Sequence, residues 1–380
     1  MNSVNPQSLA FPDSKNHYAI LDGLRGVAAV MVVVFHLFEA HSTSNQDQMI
    51  NHGYMAVDFF YVLSGFVIGY AYDDRWGKMT VKDFFKRRLI RLHPMVVMGM
   101  IVGAIAFYFG ASNFFPAISH VPVWKMLLIM LIGCTLLPVP VSMDIRGWHE
   151  MYPLNGPGWS LFFEYVVNIL YALFIRKFSN KALVVLVFLS GCALVYLSVF
   201  GGHGDIIGGW SLEPEQLRIG ITRVMYPFFA GLLLSRVGKL TSIKHAFAIC
   251  STLVVVIFIV PRIGGTNQLW MNGLYDAVCI IILFPLIVYI GASGELKGKY
   301  TSKISKFLGD ISYPIYITHY PLIYIYTAWV ADNKLSISKA YPVALLVLFI
   351  SIAFAYACFK LYDEPMRKWL GNRFMKKVTR

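Results

Sequence analysis

The chain has 380 residues, 57% of them hydrophobic and only 14% charged, with a mean hydropathy of +0.60. Soluble domains carry about 25% charged residues, so most of this sequence does not face water and a soluble globular class is excluded. The net charge of +13 does not point to nucleic acid, because the basic residues sit in short clusters between apolar runs, where positive-inside topology places them.

Apolar segments lie near residues 19–38, 56–72, 94–110, 123–138, 158–175, 182–200, 217–235, 245–261, 271–291, 310–331 and 341–361. Several approach the ~20 residues that a helix needs to cross a bilayer. The first run begins near Tyr18 after a polar tail, with no small-residue cleavage site behind it, and is expected to stay as a helix. Residues 73–91 hold Arg75, Lys78, Lys82, Lys86, Arg87, Arg88 and Arg91 and are expected on the cytoplasmic side. The connection 39–55 has no Lys or Arg and is expected outside, which puts the N-terminus inside. From residue 176 onward, basic and non-basic connections alternate and leave the C-terminus inside as well.

The region 92–157 breaks this alternation. Its neighbours require an odd number of crossings, yet it holds two apolar segments of about 16 residues. One of them is therefore expected to be re-entrant, interfacial or strongly tilted. The expected fold is all-α: a polytopic transmembrane helix bundle of about ten spans plus one irregular or re-entrant segment. An N-terminal tail (1–17), a membrane domain (18–362) and a basic C-terminal tail (363–380) complete the division, with no extramembrane catalytic domain. The five cysteines, Cys134, Cys192, Cys250, Cys279 and Cys358, fall in apolar segments without CxxC pairs or His partners, which argues against disulfides and against a metal site.

Ionisable residues inside spans cost at least ~2.5–3.5 kcal/mol each at the bilayer centre, so they mark function. Here they are Asp22, Arg25 and His36 on the first segment, Asp58 at the start of the second, Glu164 on the fifth, Arg218 and Arg223 on the seventh, Asp276 on the ninth and His319 on the tenth. Arg25 and His36 are eleven residues apart, three helical turns plus about 20°, so they share a face and are separated by roughly 16 Å. Asp22 precedes Arg25 by three residues, a pairing distance on a helix. This stripe points to a polar cavity; the alternative is that Arg25 snorkels to one interface and His36 hydrates at the other.

Several motifs, taken in order, resemble one family. LDGLRGVAAVMVVVFH carries Arg25 and, after ten intervening residues, His36; VDFFYVLSGFVIG follows from Val57 to Gly69. RRLIRLHP spaces Arg88 and Arg91; PGWSLFFEYVVNILY holds Trp159, Ser160 and Glu164; RVMYPFFAGLLL begins at Arg223. ISYPIYITHYPL contains His319, and DEPMRKW supplies Glu364 and Pro365. Together they resemble the acyltransferase family 3 membrane proteins across essentially the whole chain.

The resemblance implies transfer of an acyl group, commonly acetyl, from cytoplasmic acyl-CoA to a hydroxyl of a cell-envelope or exported carbohydrate. Acyl-CoA would be a co-substrate and not a resident cofactor, and no metal is implied. His36 would be the catalytic base, with Glu164 orienting its imidazole or binding acceptor hydroxyls, or else pairing with Arg218 or Arg223. Arg25, Arg88 and Arg91 would hold the donor, whose phosphates suit guanidinium groups. Asp22, Asp58, Trp159, Arg223 and His319 would line the cavity, although a plain interhelical hydrogen bond suits His319 equally. Implied partners are the lipid bilayer, the carbohydrate and acyl-CoA, in a bacterial cytoplasmic membrane. Some family members carry an extracytoplasmic esterase-like domain; this sequence is expected to finish the reaction alone or with a separate extracytoplasmic transferase. The H-x4-D spacing of His17 and Asp22, used by an unrelated acyltransferase class, is discounted as chance. A secondary transporter or flippase with a charged central cavity is the competing reading.

Overall fold

The computed structural model describes residues 17–375. The expected tail 1–17 lies outside the described residues but for His17, as does the chain end beyond 375. Within the described residues the chain is helical throughout, without strands. In order, the helices are α1 (Ala19–Glu39), α2 (Ala56–Tyr72), α3 (Val81–Tyr108), α4 (Val123–Cys134), α5 (Gly158–Leu173), α6 (Asn180–Val195) and α7 (Pro214–Val237). There follow α8 (Ala246–Ile259), α9 (Leu269–Val278), α10 (Phe284–Ala292), α11 (Lys299–Thr318), α12 (Tyr320–Asp332), α13 (Ile337–Cys358) and α14 (Glu364–Phe374). Five-residue π turns continue α6, join α9 to α10 and join α13 to α14. The expected domain boundary at 363 therefore falls inside a continuous helix running from Ile337 to Phe374.

Each of the eleven apolar segments becomes helix, but they are unequal. Among the described residues seven helical stretches are long and apolar enough to cross a membrane, while α4, α5 and α8 have 12, 16 and 14 residues. The basic stretch Lys82–Arg91 also differs from expectation: it is helix, not loop. A capping box starts α3, with the Thr80 side chain accepting from the Asp83 N–H and Asp83 accepting from the Thr80 N–H. Arg88 and Arg91 therefore sit on a helix that continues into the bundle.

The irregular segment of region 92–157 is α4. Its 12 residues reach about 18 Å, short of the ~30 Å hydrocarbon core. It runs antiparallel to the C-terminal half of α3: Met126, Leu127 and Met130 face Ala104, Ile105 and Tyr108, and Gly133 meets Met100. The chain then turns at Leu136, a non-glycine at φ +58°, and comes back without regular structure to the end it left, where Trp148 packs on Phe114 and Phe115. It dips in once more, with Leu154 against the backbone at Gly103, before α5 begins. Residues 123–157 therefore form a hairpin that returns into the bundle beside α3.

Buried polar backbone in such a return needs partners within the protein. Tyr152 donates to the Leu136 carbonyl at 2.6 Å, and the Val139 N–H donates to the Met151 carbonyl at 3.0 Å. The Asn155 side-chain amide donates to the Ile317 carbonyl at 2.8 Å. That carbonyl is free because its i+4 residue is Pro321, which has no N–H.

Close helix packing sets the central bundle. Gly65 of α2 lies against the Phe228 carbonyl of α7, and Gly231 of α7 lies against the Val62 carbonyl of α2. Gly26 of α1 likewise abuts the Leu308 carbonyl of α11. Small residues permit this backbone approach, and dispersion between the helices replaces the hydrophobic drive that lipid removes. A side chain at Gly65 would push α7 off α2, so Gly65→Leu is expected to cost about 1–3 kcal/mol by overpacking. Its thermal unfolding midpoint in detergent should fall clearly below wild type; an unchanged midpoint would show that α2 and α7 do not depend on this contact.

Candidate active site

Helix α1 carries the axis of the site, with Arg25 two turns into it and His36 near its other end. At the Arg25 end the structure gathers most of the expected donor-binding residues. Asp22 pairs with Arg25 at 2.8 Å, and His17 reaches the same carboxylate at 2.6 Å, so the discounted His17–Asp22 pair is a real contact. Arg91 lies within electrostatic reach of Arg25, Asp22, Arg88 and Arg367. Arg367 is one residue that sequence reasoning missed. It comes from α14, where the π turn Phe359–Asp363 presents Asp363 to it at 2.6 Å. Its signal was present in the DEPMRKW motif, but nothing in the spacing said that this motif folds back onto α3. Arg25, Arg88, Arg91 and Arg367 outnumber their carboxylates Asp22, Glu164 and Asp363, leaving a cationic end suited to a polyanion.

Glu164 is the clearest departure from the sequence reading. Its carboxylate does not meet His36, Arg218 or Arg223; it accepts from Arg88 at 2.6 Å and from the Ser64 hydroxyl at 2.8 Å. The reason is the entry to α5. The returning segment has already carried the chain into the bundle before α5 starts, so Glu164, about 9 Å along the helix from Gly158, lies deeper than a start at the surface would put it. Arg218 pairs instead with Glu215 at the protein surface.

His36 is oriented by a residue on its own helix. Its Nδ1 lies 2.6 Å from the Glu39 carboxylate, three residues on, so a neutral ring anchored there carries its proton on Nδ1 and leaves Nε2 bare. Glu39 was legible as an i+3 partner, but it lies one residue past the apolar run 19–38. The His36 ring packs edge-on to Tyr320, with centroids 4.8 Å apart, and stacks beside His319 at 5.6 Å and 25°. Tyr316 stands next to His319 at 6.1 Å and exchanges a 2.6 Å hydrogen bond with Ser160, the residue after Trp159. Tyr313, one turn before, donates to the Leu92 carbonyl of α3. Polar groups thus continue between the arginine end and His36: Arg88, Glu164 and Ser64, then Ser160 and Tyr316, then the two histidines.

Around Tyr320 the re-entrant segment adds a charged patch that the sequence did not flag. The Arg146 guanidinium sits 3.4 Å from the centre of the Tyr324 ring, and Tyr324 donates to Glu150 at 2.7 Å. Both charges are almost fully buried, and the Glu150 carboxylate lies beside Gly156 and Tyr320.

The remaining expected cavity residues form a separate brace. Arg223 is 2% exposed and donates to Asp58 at 2.7 Å and to the carbonyls of Tyr54 and Gly208. Trp159 covers it, with its ring 5.1 Å from the guanidinium carbon. Asp58, Trp159 and Arg223 are therefore together but not with His36. Asp276, which had no assignment, accepts from Tyr54 at 2.8 Å and contacts His52 at 3.1 Å, extending the same buried network.

The described residues thus form an all-helical bundle with membrane-length apolar helices, a cationic end and an anchored histidine. The chain matches the acyltransferase domain family (Acyl_transf_3) over residues 18–360 and belongs to it. Among its relatives is O-acetyltransferase OatA of Staphylococcus aureus strain NCTC 8325, 22% identical over 92% of this chain and 57% of the relative. Another is "Protein 2 in picA locus" of Rhizobium radiobacter, 31% identical over 47% of this chain and 93% of the relative. The chain spans a little over half the length of the staphylococcal relatives it matches. No solved structure matches it significantly.

The brace makes a prediction of its own. Arg223→Ala leaves the Asp58 carboxylate buried without a counter-charge, which should cost about 3–5 kcal/mol. The double variant Asp58→Leu/Arg223→Met should recover most of that loss. Fluorescence thermal unfolding of the purified variants measures both, and equal losses in the single and double variants would mean that packing and not charge dominates at this site.

Proposed function

We propose that the chain is an O-acyltransferase that moves an acetyl-type group from acyl-CoA, bound at the arginine end, to a carbohydrate hydroxyl reached from the His36 end. The observation that carries this reading is the polar path on and around α1. Four guanidinium groups gather at one end, and a histidine with its Nδ1 held by a carboxylate stands about 16 Å away on the same helix. The names of the staphylococcal relatives support O-acetyl transfer, and the basic clusters support a membrane orientation with both termini cytoplasmic.

The chemistry follows from the groups present. A phosphate-rich donor meets Arg25, Arg88, Arg91 and Arg367, of which Arg91 makes no ion pair with any described residue. The thioester end extends along the path toward His36. The acceptor oxygen attacks the thioester carbonyl carbon while its proton passes to His36 Nε2. The Glu39 carboxylate, bonded to Nδ1, faces the imidazolium so formed and keeps the ring oriented. Collapse of the tetrahedral intermediate breaks the C–S bond, and the thiolate leaving group takes the proton from His36. Glu164 holds Arg88 in this scheme, which makes it a positioning residue for the donor end and not the partner of the base.

Membranes containing the protein should transfer label from radiolabelled acetyl-CoA to cell-envelope glycan. His36→Ala should lower transfer by roughly 100-fold or more, and Arg25→Ala or Arg88→Ala should raise the KM for acetyl-CoA several-fold. Glu39→Gln should reduce kcat while leaving that KM unchanged. Full activity in His36→Ala would remove it as the base. Absence of acetyl-CoA binding by the wild type would sink the proposal.

A further inference from the structure

His319 is fully buried, yet one of its ring nitrogens has no partner. Its Nδ1 lies 2.9 Å from the Ile315 carbonyl and 3.0 Å from the Tyr316 carbonyl. Carbonyl oxygens only accept, so Nδ1 carries the hydrogen and the neutral ring presents a bare lone pair at Nε2. A doubly protonated ring would be a buried cation, and neither its hydrogen-bond partners nor its stacking partners include a carboxylate to balance one. The ring is also held rigidly. It stands at the break between α11 and α12, with Pro314 and Pro321 on either side, and it packs against His36, Tyr316 and Tyr320.

Two neighbouring imidazoles thus differ in what stands behind them. His36 is backed by a carboxylate and can hold a proton; His319 is backed only by carbonyl dipoles and offers an acceptor. A buried acceptor left empty costs free energy comparable to a lost hydrogen bond, so the site is built for a ligand that brings a donor. The reacting part of a thioester has none, since its carbonyl oxygen and sulfur only accept. A polyhydroxylated acceptor has several, and the ring spacing of 5.6 Å between His36 and His319 allows one ligand to address both.

We propose that His319 Nε2 accepts a hydrogen bond from the carbohydrate acceptor, from a hydroxyl next to the one that His36 deprotonates. This rests on the acyltransfer reading above and adds a selection rule: the acceptor must carry a second donor beside the reacting hydroxyl. The other possible source of a donor is the amide N–H of the coenzyme A arm, two carbons from the sulfur, and the experiment separates the two.

His319→Asn keeps a side-chain N–H for the Ile315 and Tyr316 carbonyls and removes the acceptor at Nε2; His319→Gln restores an acceptor at that reach. Both are compared with the wild type for transfer from radiolabelled acetyl-CoA to cell-envelope glycan, with each substrate varied in turn. The expected result for Asn is a loss of about 10- to 100-fold in kcat/KM for the glycan, with the KM for acetyl-CoA within twofold of wild type and partial rescue in Gln. An unchanged glycan kcat/KM in Asn would overturn the proposal. So would a loss confined to the acetyl-CoA KM, which would assign the lone pair to the donor's amide. If Asn fails to accumulate in membranes, Gln decides alone, and glycan transfer below about 1% of wild type would count against an acceptor role. A wild type that binds acetyl-CoA but shows the Asn variant unaffected fails only this inference, whereas a wild type that neither binds nor transfers fails the acyltransfer reading itself.

Discussion

In a hydrocarbon environment every backbone N–H and C=O needs a partner inside the protein, and the site is arranged around a place where regular helix does not supply them. Pro321 removes an N–H from the α11–α12 passage and frees the Ile317 carbonyl. Asn155, at the foot of the re-entrant return, takes that carbonyl. One turn away, His319 uses its Nδ1 on the carbonyls of Ile315 and Tyr316. The irregular segment 135–157 and the broken helix therefore complete each other. Neither would be tolerated against lipid, and their meeting point lies beside His36.

The charges divide by what their surroundings allow. Asp58 and Arg223 are sealed together under Trp159, with further bonds to backbone carbonyls, and such a pair specifies how α2 and α7 sit without offering anything to a ligand. The arginines near Asp22 are only partly matched by carboxylates, and that imbalance suits a phosphate-rich molecule. Glu164 stands between these cases. It is matched by Arg88 and Ser64, so it fixes a guanidinium at the arginine end and does not meet the histidine.

Much of the fold was legible because its causes are local. Hydropathy over some 20 residues needs no tertiary information, and neither does the Lys/Arg bias of the connections. The need for one irregular segment in 92–157 followed from counting crossings, but both candidates were about 16 residues long. Only the contact of α4 with the far half of α3 shows which one turns back. In the site, the Arg25–His36 stripe and the Asp22–Arg25 pair came from helical periodicity alone. Glu39 obeys the same rule but lies just past the apolar run 19–38, outside the segment where charges mark function.

The sequence by itself determined that the chain is a membrane-spanning helix bundle and that α1 carries an arginine and a histidine on one face. These follow from periodicities and compositions that act within one helix, whereas the family was legible only as a resemblance of motifs. Tertiary structure decided everything that joins residues from different helices: that Glu164 serves Arg88, that Arg223 belongs to Asp58, that Arg367 returns to the arginine end, and that His319 stands beside His36. Such pairings depend on the depth at which each helix begins, and a connection that dips into the bundle before α5 shifts that depth without leaving a mark in the helix's own sequence.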